Sequence, residues 1–318
     1  MEQLPLFLDE YVSLNDATNA LIDLRLDAAL VFLTNHRDLY QSNRKDIEEK
    51  LAIIGFLQEQ LAAEPPPGPE RPRFLFKVWR SFESFCNPLI YNKGITDKMR
   101  VPYFRKVSEA MNAYSLTDSF LLADNVPAGY VYLQADEYDR AIRSLQTCLL
   151  STRDNAAIFG YLGDAYRARG NKKTARHVYF EACLVAPCSI DWVHIRDDEL
   201  RALLETLPEE YGWTPSISCE WLPACGYIRG LFEPKAIRTL EEIKTFTEGY
   251  LELQKAFQKN PGPDLAARIF TKGIVLCDNE PFLRNIKGIE FADIRRDMKS
   301  AAPSLFDEYL KEIDRRKK

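Results

Sequence analysis

The chain has 318 residues, 46% of them hydrophobic and 28% charged, which is typical of a globular protein with one large core or two ordinary ones. A formal charge of −5 gives no support for nucleic acid or an anionic membrane as the main partner, because both need a concentrated positive field. The apolar run at 28–36 is far shorter than the roughly 20 residues of a membrane-spanning helix, and the first ten residues lack the positive start of a secretory leader.

The N-terminal region, residues 1–63, is predicted to form a pair of helices at 16–38 and 44–62. Apolar residues recur at helical spacing along the first of them, at Ile22, Leu26, Leu30 and Leu33. Asp16 is placed to cap its N-terminus. The two helices are expected to pack against each other.

A proline-rich stretch follows at 64–72. Proline fixes the backbone angle φ and has no amide hydrogen to donate, so it neither continues a helix nor joins a sheet ladder. This stretch is therefore predicted to be a stiff extended connector, and a domain boundary is placed there.

Residues 73–121 are predicted to be a helical lead-in to the middle of the chain. Aromatic residues recur there at steps of three, at Phe76, Trp79, Phe82 and Phe85. A nucleic-acid stacking platform would combine such rings with a basic groove, which this acidic chain does not favour, so the rings are predicted to pack in a core. One more helix is predicted over Pro102–Tyr114.

The middle of the chain, residues 122–187, contains two consecutive units of equal length in the same register. The second unit has small residues at Gly163 and Ala175 and large ones at Tyr166 and Tyr179, the combination that two closely crossing helices need. Gly170 is placed to end its first helix, since glycine adopts the left-handed conformation at little cost. The first unit repeats the pattern more weakly, with Ala128, Gly129, Tyr132, Asp136 and Ala141 at the equivalent positions.

The second unit reads Phe159-x₂-Leu162-Gly163-x₂-Tyr166, then Ala175-x₃-Tyr179, Ala182 and Pro187. It resembles the tetratricopeptide repeat, whose pattern is W-x₂-L-G-x₂-Y…A-x₃-F…P. The first unit departs from that pattern at Asn125, Leu145, Cys148 and Arg153. The resemblance covers about a fifth of the chain and implies an all-α fold, in which tetratricopeptide-type hairpins form an α-solenoid segment flanked by additional helices at both ends.

The C-terminal part, residues 188–318, is predicted to supply capping helices. Asp197 or Asp198 caps a helix that runs through Leu207. Prolines and glycines at 208–235, together with Trp213 and Trp221, predict an irregular insertion packed by aromatic rings.

A capping box at Thr239 and Glu242 opens the next helix, which ends at the prolines and glycine of 260–263. Its inward face is predicted to comprise Leu240, Ile243, Phe246, Tyr250, Leu253 and Phe257. Two further helices are predicted at about 264–277 and 282–316, the last one interrupted at Pro303.

The sequence contains no phosphate-binding glycine loop, dinucleotide fingerprint, nucleophile elbow or H-E-x-x-H motif, so neither catalysis nor a cofactor is predicted. One group with metal-ligand chemistry comprises Cys188, His194, Cys219 and Cys225. Its spacings are wider than the tight cysteine pairs of structural zinc sites, which favours buried small side chains over a metal. Seven cysteines, an odd number, predict reduced thiols and a cytoplasmic location.

The resemblance implies a protein-interaction scaffold, because proteins with such repeats bind partner peptides or helices in a groove lined by the first helix of each unit. The corresponding positions here are Val126, Tyr130, Leu133, Gln134, Gly160, Asp164, Arg167 and Ala168. Tyr130 and Arg167 are the predicted anchors, since both residue types are enriched among binding hot spots. Specificity for a C-terminal carboxylate is not supported, because the positions of its lysines and asparagines hold other residues.

Two alternatives stay open. An enzyme or metal-binding protein would have its site in 188–235, and the metal content of the purified protein would separate this class from a scaffold. A structural subunit would self-assemble into homo-oligomers through its helices, and the concentration dependence of its molecular mass would show this.

Overall fold

The computed structural model describes residues 3–40, 42–116, 120–152, 154–192, 194–233 and 235–316, with side chains from residue 9 onward. The all-α prediction is confirmed: these residues form α-helices, short 3₁₀ turns and loops, and no strand beyond a single bridge between Leu121 and Pro127. None of the described helices is long and apolar enough to cross a membrane. Arg153, where the first repeat lacks its proline, lies outside the described residues.

The chain divides into two compact parts, residues 1–148 and 149–318, which are called the first and second unit below; the two shorter sequence units within 122–187 are called repeats. In the first unit consecutive helices pack on one another, and α1 also packs on α5. Its helices are α1 (Gln3–Ile22), α2 (Leu26–Leu39), α3 (Arg44–Leu61), α4 (Glu70–Cys86), α5 (Ile95–Asn112), α6 (Ala128–Gln134) and most of α7 (Tyr138–Ser151). The proline-rich connector lies inside this unit, between α3 and α4.

The helix expected at 16–38 is two helices, which corrects the sequence-based boundary. Leu24 has a φ of +61°, and the amide of Arg25 donates to the carbonyl of Ala20 at 2.9 Å, the bond that ends a helix in a Schellman motif. A leucine in this conformation has no sequence signal, and the apolar spacing continues across the turn. Asp16 consequently lies within α1 and caps nothing.

The connector is shorter than expected, because α4 begins at Glu70 and includes Pro72. Proline is tolerated in the first turn of a helix, where amide hydrogens have no partner in the helix. At its other end Glu64 pairs with Arg71, Nε to Oε1 2.6 Å, and with Lys106, Nζ to Oε2 3.4 Å. These contacts fix the connector against α4 and α5.

The aromatic residues of α4 form the core of the first unit, as predicted. Phe76, Trp79 and Phe82 are buried, and Phe85 is half-buried and stacks on Phe56 at 4.4 Å between ring centres. The rings of α4 pack against those of α5, with Trp79 and Phe104 at 5.2 Å. Helix α5 starts at Ile95, well before the predicted boundary, and passes through Pro102.

Helices α6 and α7 form a hairpin and approach each other closely at Gly129. A Cβ at this position would lie 2.5 Å from the Cγ atom of Leu145, so only glycine allows this approach. Asp136 has a φ of +62° and turns the chain between the two helices. The predicted small-against-large contact is therefore present in the first hairpin.

The second unit begins with the hairpin of α8 (Ala156–Ala168) and α9 (Lys172–Val185). A Cβ at Gly163 would lie 2.3 Å from the Cε1 atom of Tyr179, so the contact of Gly129 with Leu145 recurs at the equivalent positions of the second hairpin. Gly170 has a φ of +79° and ends α8, as predicted. Asn155 and Asn171 cap α8 and α9 by accepting from backbone amides.

Two more hairpins follow at a regular interval. The first helices of the three hairpins start at Ala156, Asp198 and Leu240, which are evenly spaced along the chain. The second helices pack against each other in order, α9 on α11 and α11 on α13, and α15 continues this layer. The remaining helices of the unit are α10 (Asp198–Tyr211), α11 (Pro215–Ile228), α12 (Leu240–Lys259), α13 (Pro263–Asp278), α14 (Glu280–Leu283), α15 (Phe291–Ala301) and α16 (Pro303–Arg316).

The stretch expected to be an irregular insertion, 208–235, is largely helical, which corrects that prediction. Gly212, with a φ of +69°, ends α10. Thr214 then caps α11, and Pro215 occupies its first position, a combination that favours a helix start. The aromatic packing is as expected, with Trp213 stacked on Trp221 at 5.3 Å between ring centres.

Two caps were predictable from local sequence. Asp197 accepts the amide of Leu200 at 3.2 Å, and Thr239 accepts the amide of Glu242 at 3.1 Å. The inward face of α12 is smaller than expected, since Leu240 is 44% exposed at the first turn. The predicted helix 282–316 is also broken at 284–290, where Gly288 turns the chain with a φ of +90°.

Candidate functional site

The predicted groove residues of the first repeat are buried or half-buried. Contrary to the expectation from the repeat pattern, Leu133 is 1% exposed. Tyr130 lies edge-on against Phe76 at 6.0 Å and Phe104 at 5.9 Å between ring centres. The backbone carbonyl of Gln134 accepts a hydrogen bond from Nη1 of Arg100 at 2.6 Å. Val126 is half-buried. Tyr130 is therefore a packing residue rather than a free anchor.

Two of the predicted groove residues of the second repeat, Asp164 and Arg167, belong to an internal polar network. Asp164 is 7% exposed, and its Oδ1 accepts from the hydroxyl of Tyr179 at 2.6 Å and the amide of Arg196 at 2.7 Å. Arg167 places Nε 3.7 Å from Oδ2 of the buried Asp197. Gly160 is buried and Ala168 half-buried. The carboxylate of Asp164 is thus a structural group, which corrects its assignment to a surface.

Burial dominates the electrostatics of Asp164. Loss of water disfavours the charged form and raises the pKa of this carboxyl to about 7, although the two hydrogen bonds from Tyr179 and Arg196 act in the opposite direction. Asp164 consequently changes charge near neutral pH inside the core of the second unit.

The candidate metal ligands do not come together. Cys188 and Cys219 lie close to each other beside Glu220, whose Oε1 is 3.5 Å from the Sγ of Cys188. His194 instead pairs with Asp191, Nδ1 to Oδ2 2.9 Å. Within the described part of the chain, no group of three or more potential ligands is placed to hold a metal ion.

The thiols of this cluster are protonated at neutral pH. Burial first, and then the neighbouring thiol of Cys188, raise the pKa of Cys219 to about 12. Burial, and then the carboxylate of Glu220, raise the pKa of Cys188. A nucleophilic cysteine is a thiolate, so this environment does not favour a nucleophile.

We expect the purified protein to contain no stoichiometric zinc and to keep its helical circular dichroism in a strong chelator, because Cys188 and Cys219 belong to no group of three ligands placed to hold a metal ion among the described residues. Elemental analysis and a chelator titration measure both. One zinc per chain, or helix loss with the chelator, would contradict this expectation.

A cleft in the second unit is lined by residues of α12 and of the layer formed by α9, α11 and α13. Its volume is about 350 Å³, within the range of ligand pockets. The walls combine apolar and charged side chains: Cys183, Leu184, Val185, Pro187, Glu220, Pro223, Gly249, Glu252, Leu253, Arg268, Thr271 and Lys272. Sequence reasoning missed this site, because its residues come from four α-helices and the 3₁₀ turn at Pro187.

Four charged groups of the cleft differ in how they are neutralised. Glu220 is buried and receives both Nε and Nη2 of Arg268, at 2.9 and 2.8 Å. Lys272 has no ion pair with any carboxylate of the described residues; the Phe246 ring lies 5.4 Å from its nitrogen. Burial lowers the pKa of Lys272, while the more distant Glu252 partly raises it.

A second cavity of about 600 Å³ adjoins the cleft. Leu184 and Lys272 line both cavities, and the second is otherwise bounded by residues of the N-terminal half of α12, from Thr239 to Phe246. Together the two cavities form a trough beside α12, lined on that helix from Thr239 to Leu253. At a rise of 1.5 Å per residue this corresponds to about 20 Å.

The described residues thus define an all-α protein whose second unit carries a ligand-sized trough. Comparisons with protein-family models, curated proteins and solved structures found no match for this chain. Its function is therefore inferred from its own residues.

Proposed function

We propose that this chain is a non-catalytic helical scaffold of the cytoplasm that binds a segment of a partner protein in the trough beside α12. The hairpins at 122–187 are assigned as tetratricopeptide-type repeats. This assignment is supported by the contact of Gly129 with Leu145, which recurs one repeat later between Gly163 and Tyr179. The seven free cysteines support the cytoplasmic assignment.

We infer a peptide ligand from the shape of the trough. An extended chain advances about 3.3 to 3.6 Å per residue, so a length of about 20 Å accommodates roughly six residues. Leu184, Val185 and Leu253 supply apolar contacts, and Lys272 and Glu252 supply polar ones. An elongated surface with both apolar and charged groups suits an extended segment of a protein better than a compact metabolite.

The side chains of the cleft do not support a catalytic role. Burial raises the pKa of Cys183 well above the ordinary value, so this residue is a thiol rather than a nucleophilic thiolate. Glu220 is engaged by Arg268 on both oxygens. Among the described residues of the cleft, no nucleophile has a free base beside it.

The test is affinity selection from a random dodecapeptide library displayed on phage, with the full chain as bait. Selected peptides are then measured against Val185→Glu and Leu150→Glu, two matched changes of exposed apolar residues in the same unit. Val185 lines the cleft and is 38% exposed; Leu150 is outside it and 76% exposed. We expect Val185→Glu to weaken binding about tenfold or more, since a charge replaces an apolar contact, and Leu150→Glu to have little effect.

Both variants should keep the wild-type melting temperature, because both side chains are exposed. A library that yields no binder, or binders that tolerate Val185→Glu, would overturn the assignment of the trough as the binding site.

A further inference from the structure

The ammonium group of Lys272 lies in the wall shared by the two cavities of the trough. The Lys272 side chain is half-buried, and none of the carboxylates in the described part of the chain is paired with it. An isolated charge in such a position is unfavourable unless it gains a partner. A ligand that supplies a carboxylate would provide the missing counter-ion.

Two neighbouring residues leave space and a hydrogen-bond donor beside this ammonium group. Gly249 lies in the middle of α12, where glycine costs about 0.5–1 kcal/mol relative to alanine, and a Cβ there would lie 2.9 Å from Nζ of Lys272. The glycine thus leaves space for the ammonium group. Thr271 is 4% exposed, lines the cleft, and its Oγ1 has no hydrogen-bond partner. Its hydroxyl can donate to an incoming oxygen.

The other charges limit the ligand to one acidic group. Arg268 is already neutralised by Glu220, and it offers no second free cation. Glu241 and Glu252 are exposed and line the trough, where their charge would repel a run of carboxylates. The apolar side chains of Leu184 and Leu253 favour apolar neighbours of the acidic residue.

We propose that the partner segment, on the basis of the function proposed above, presents a single aspartate or glutamate between apolar residues. Its carboxylate binds the ammonium group of Lys272 and accepts a hydrogen bond from the hydroxyl of Thr271.

The experiment is a double-mutant cycle with peptides from the dodecapeptide selection. Each peptide is compared with a version in which its acidic residue becomes the corresponding amide, against wild type, Lys272→Met and Lys272→Arg. We expect the amide to bind wild type about tenfold or more weakly, since a charge-assisted hydrogen bond is lost. With Lys272→Met the same change should cost less than about threefold, and Lys272→Arg should restore most of the difference.

Thr271→Val is a second variant of nearly unchanged volume, and it should weaken binding of the acidic peptide more than that of its amide. Peptides that require Val185 but lack an acidic residue, or whose acidic residue is not coupled to Lys272, would overturn this inference and leave the trough as the binding site. Peptides insensitive to Val185→Glu would instead overturn the proposed function itself.

Discussion

Replacement of Gly163 by leucine is expected to unfold or strongly destabilise the second unit, at a cost of about 1–3 kcal/mol or more. The reason is the crossing of α8 and α9, where even a Cβ would lie 2.3 Å from a ring carbon of Tyr179. Tyr179 is fully buried and its hydroxyl is held by Asp164, so the ring has no room to move. Gly163→Ala should already be destabilising.

Gly249→Ala is the matched control in the same unit. Its nearest neighbour is the end of the flexible Lys272 side chain, which can shift at little cost, so alanine should stabilise α12 by about 0.5–1 kcal/mol. Urea unfolding followed by tryptophan fluorescence measures both changes, since Trp192, Trp213 and Trp221 lie in this unit. Equal effects of the two alanine substitutions would contradict the close crossing at Gly163.

The stability of the second unit is expected to decrease as the pH rises from about 5 to 8, and Asp164 is expected to cause most of the decrease. Its pKa is raised by burial from 3.8 to about 7, so the folded state binds more protons than the unfolded state between these values. The free energy of unfolding therefore falls with pH across this window. A raised pKa of this size predicts a loss of about 2–3 kcal/mol between pH 5 and 8.

Asp164→Asn should remove this part of the pH dependence, since the amide cannot ionise. Asp278 is the comparison: burial raises its pKa to about 6, against the hydrogen bond from Tyr227, so Asp278→Asn should remove a smaller part. The free energy of unfolding is measured in urea at pH 5 and pH 8 for the three proteins. If wild type and Asp164→Asn lose stability in parallel, Asp164 does not titrate in this window.

Much of the fold was predictable from local signals. The small and large residues around Gly163 and Tyr179 predicted a close helical crossing, and the geometry at Gly163 confirms it. Asp197 and Thr239 cap helices as their sequence context predicted. The boundary at Leu24 was not predictable, because a leucine in the left-handed conformation is imposed by the packing of α1 on α2 rather than by its own preference.

The candidate site was not predictable in the same way. Val185, Glu220, Gly249 and Lys272 lie on four different helices, and neither their spacing nor their type indicates that they meet. A glycine within the pattern of α12 was a local signal that something lies close to that helix. It does not say that the neighbour is an unpaired lysine.

The sequence by itself determined the helical class, the crossing of α8 and α9 and several caps, because each depends on residues within one hairpin or one turn. Tertiary structure decided which faces are covered. Leu133 and Tyr130 are on the helix face that the repeat pattern assigns to a partner, but the aromatic rings of α4 and α5 occupy the space beside Tyr130. Periodicity identifies the face of a helix, whereas its burial depends on distant helices that pack against it.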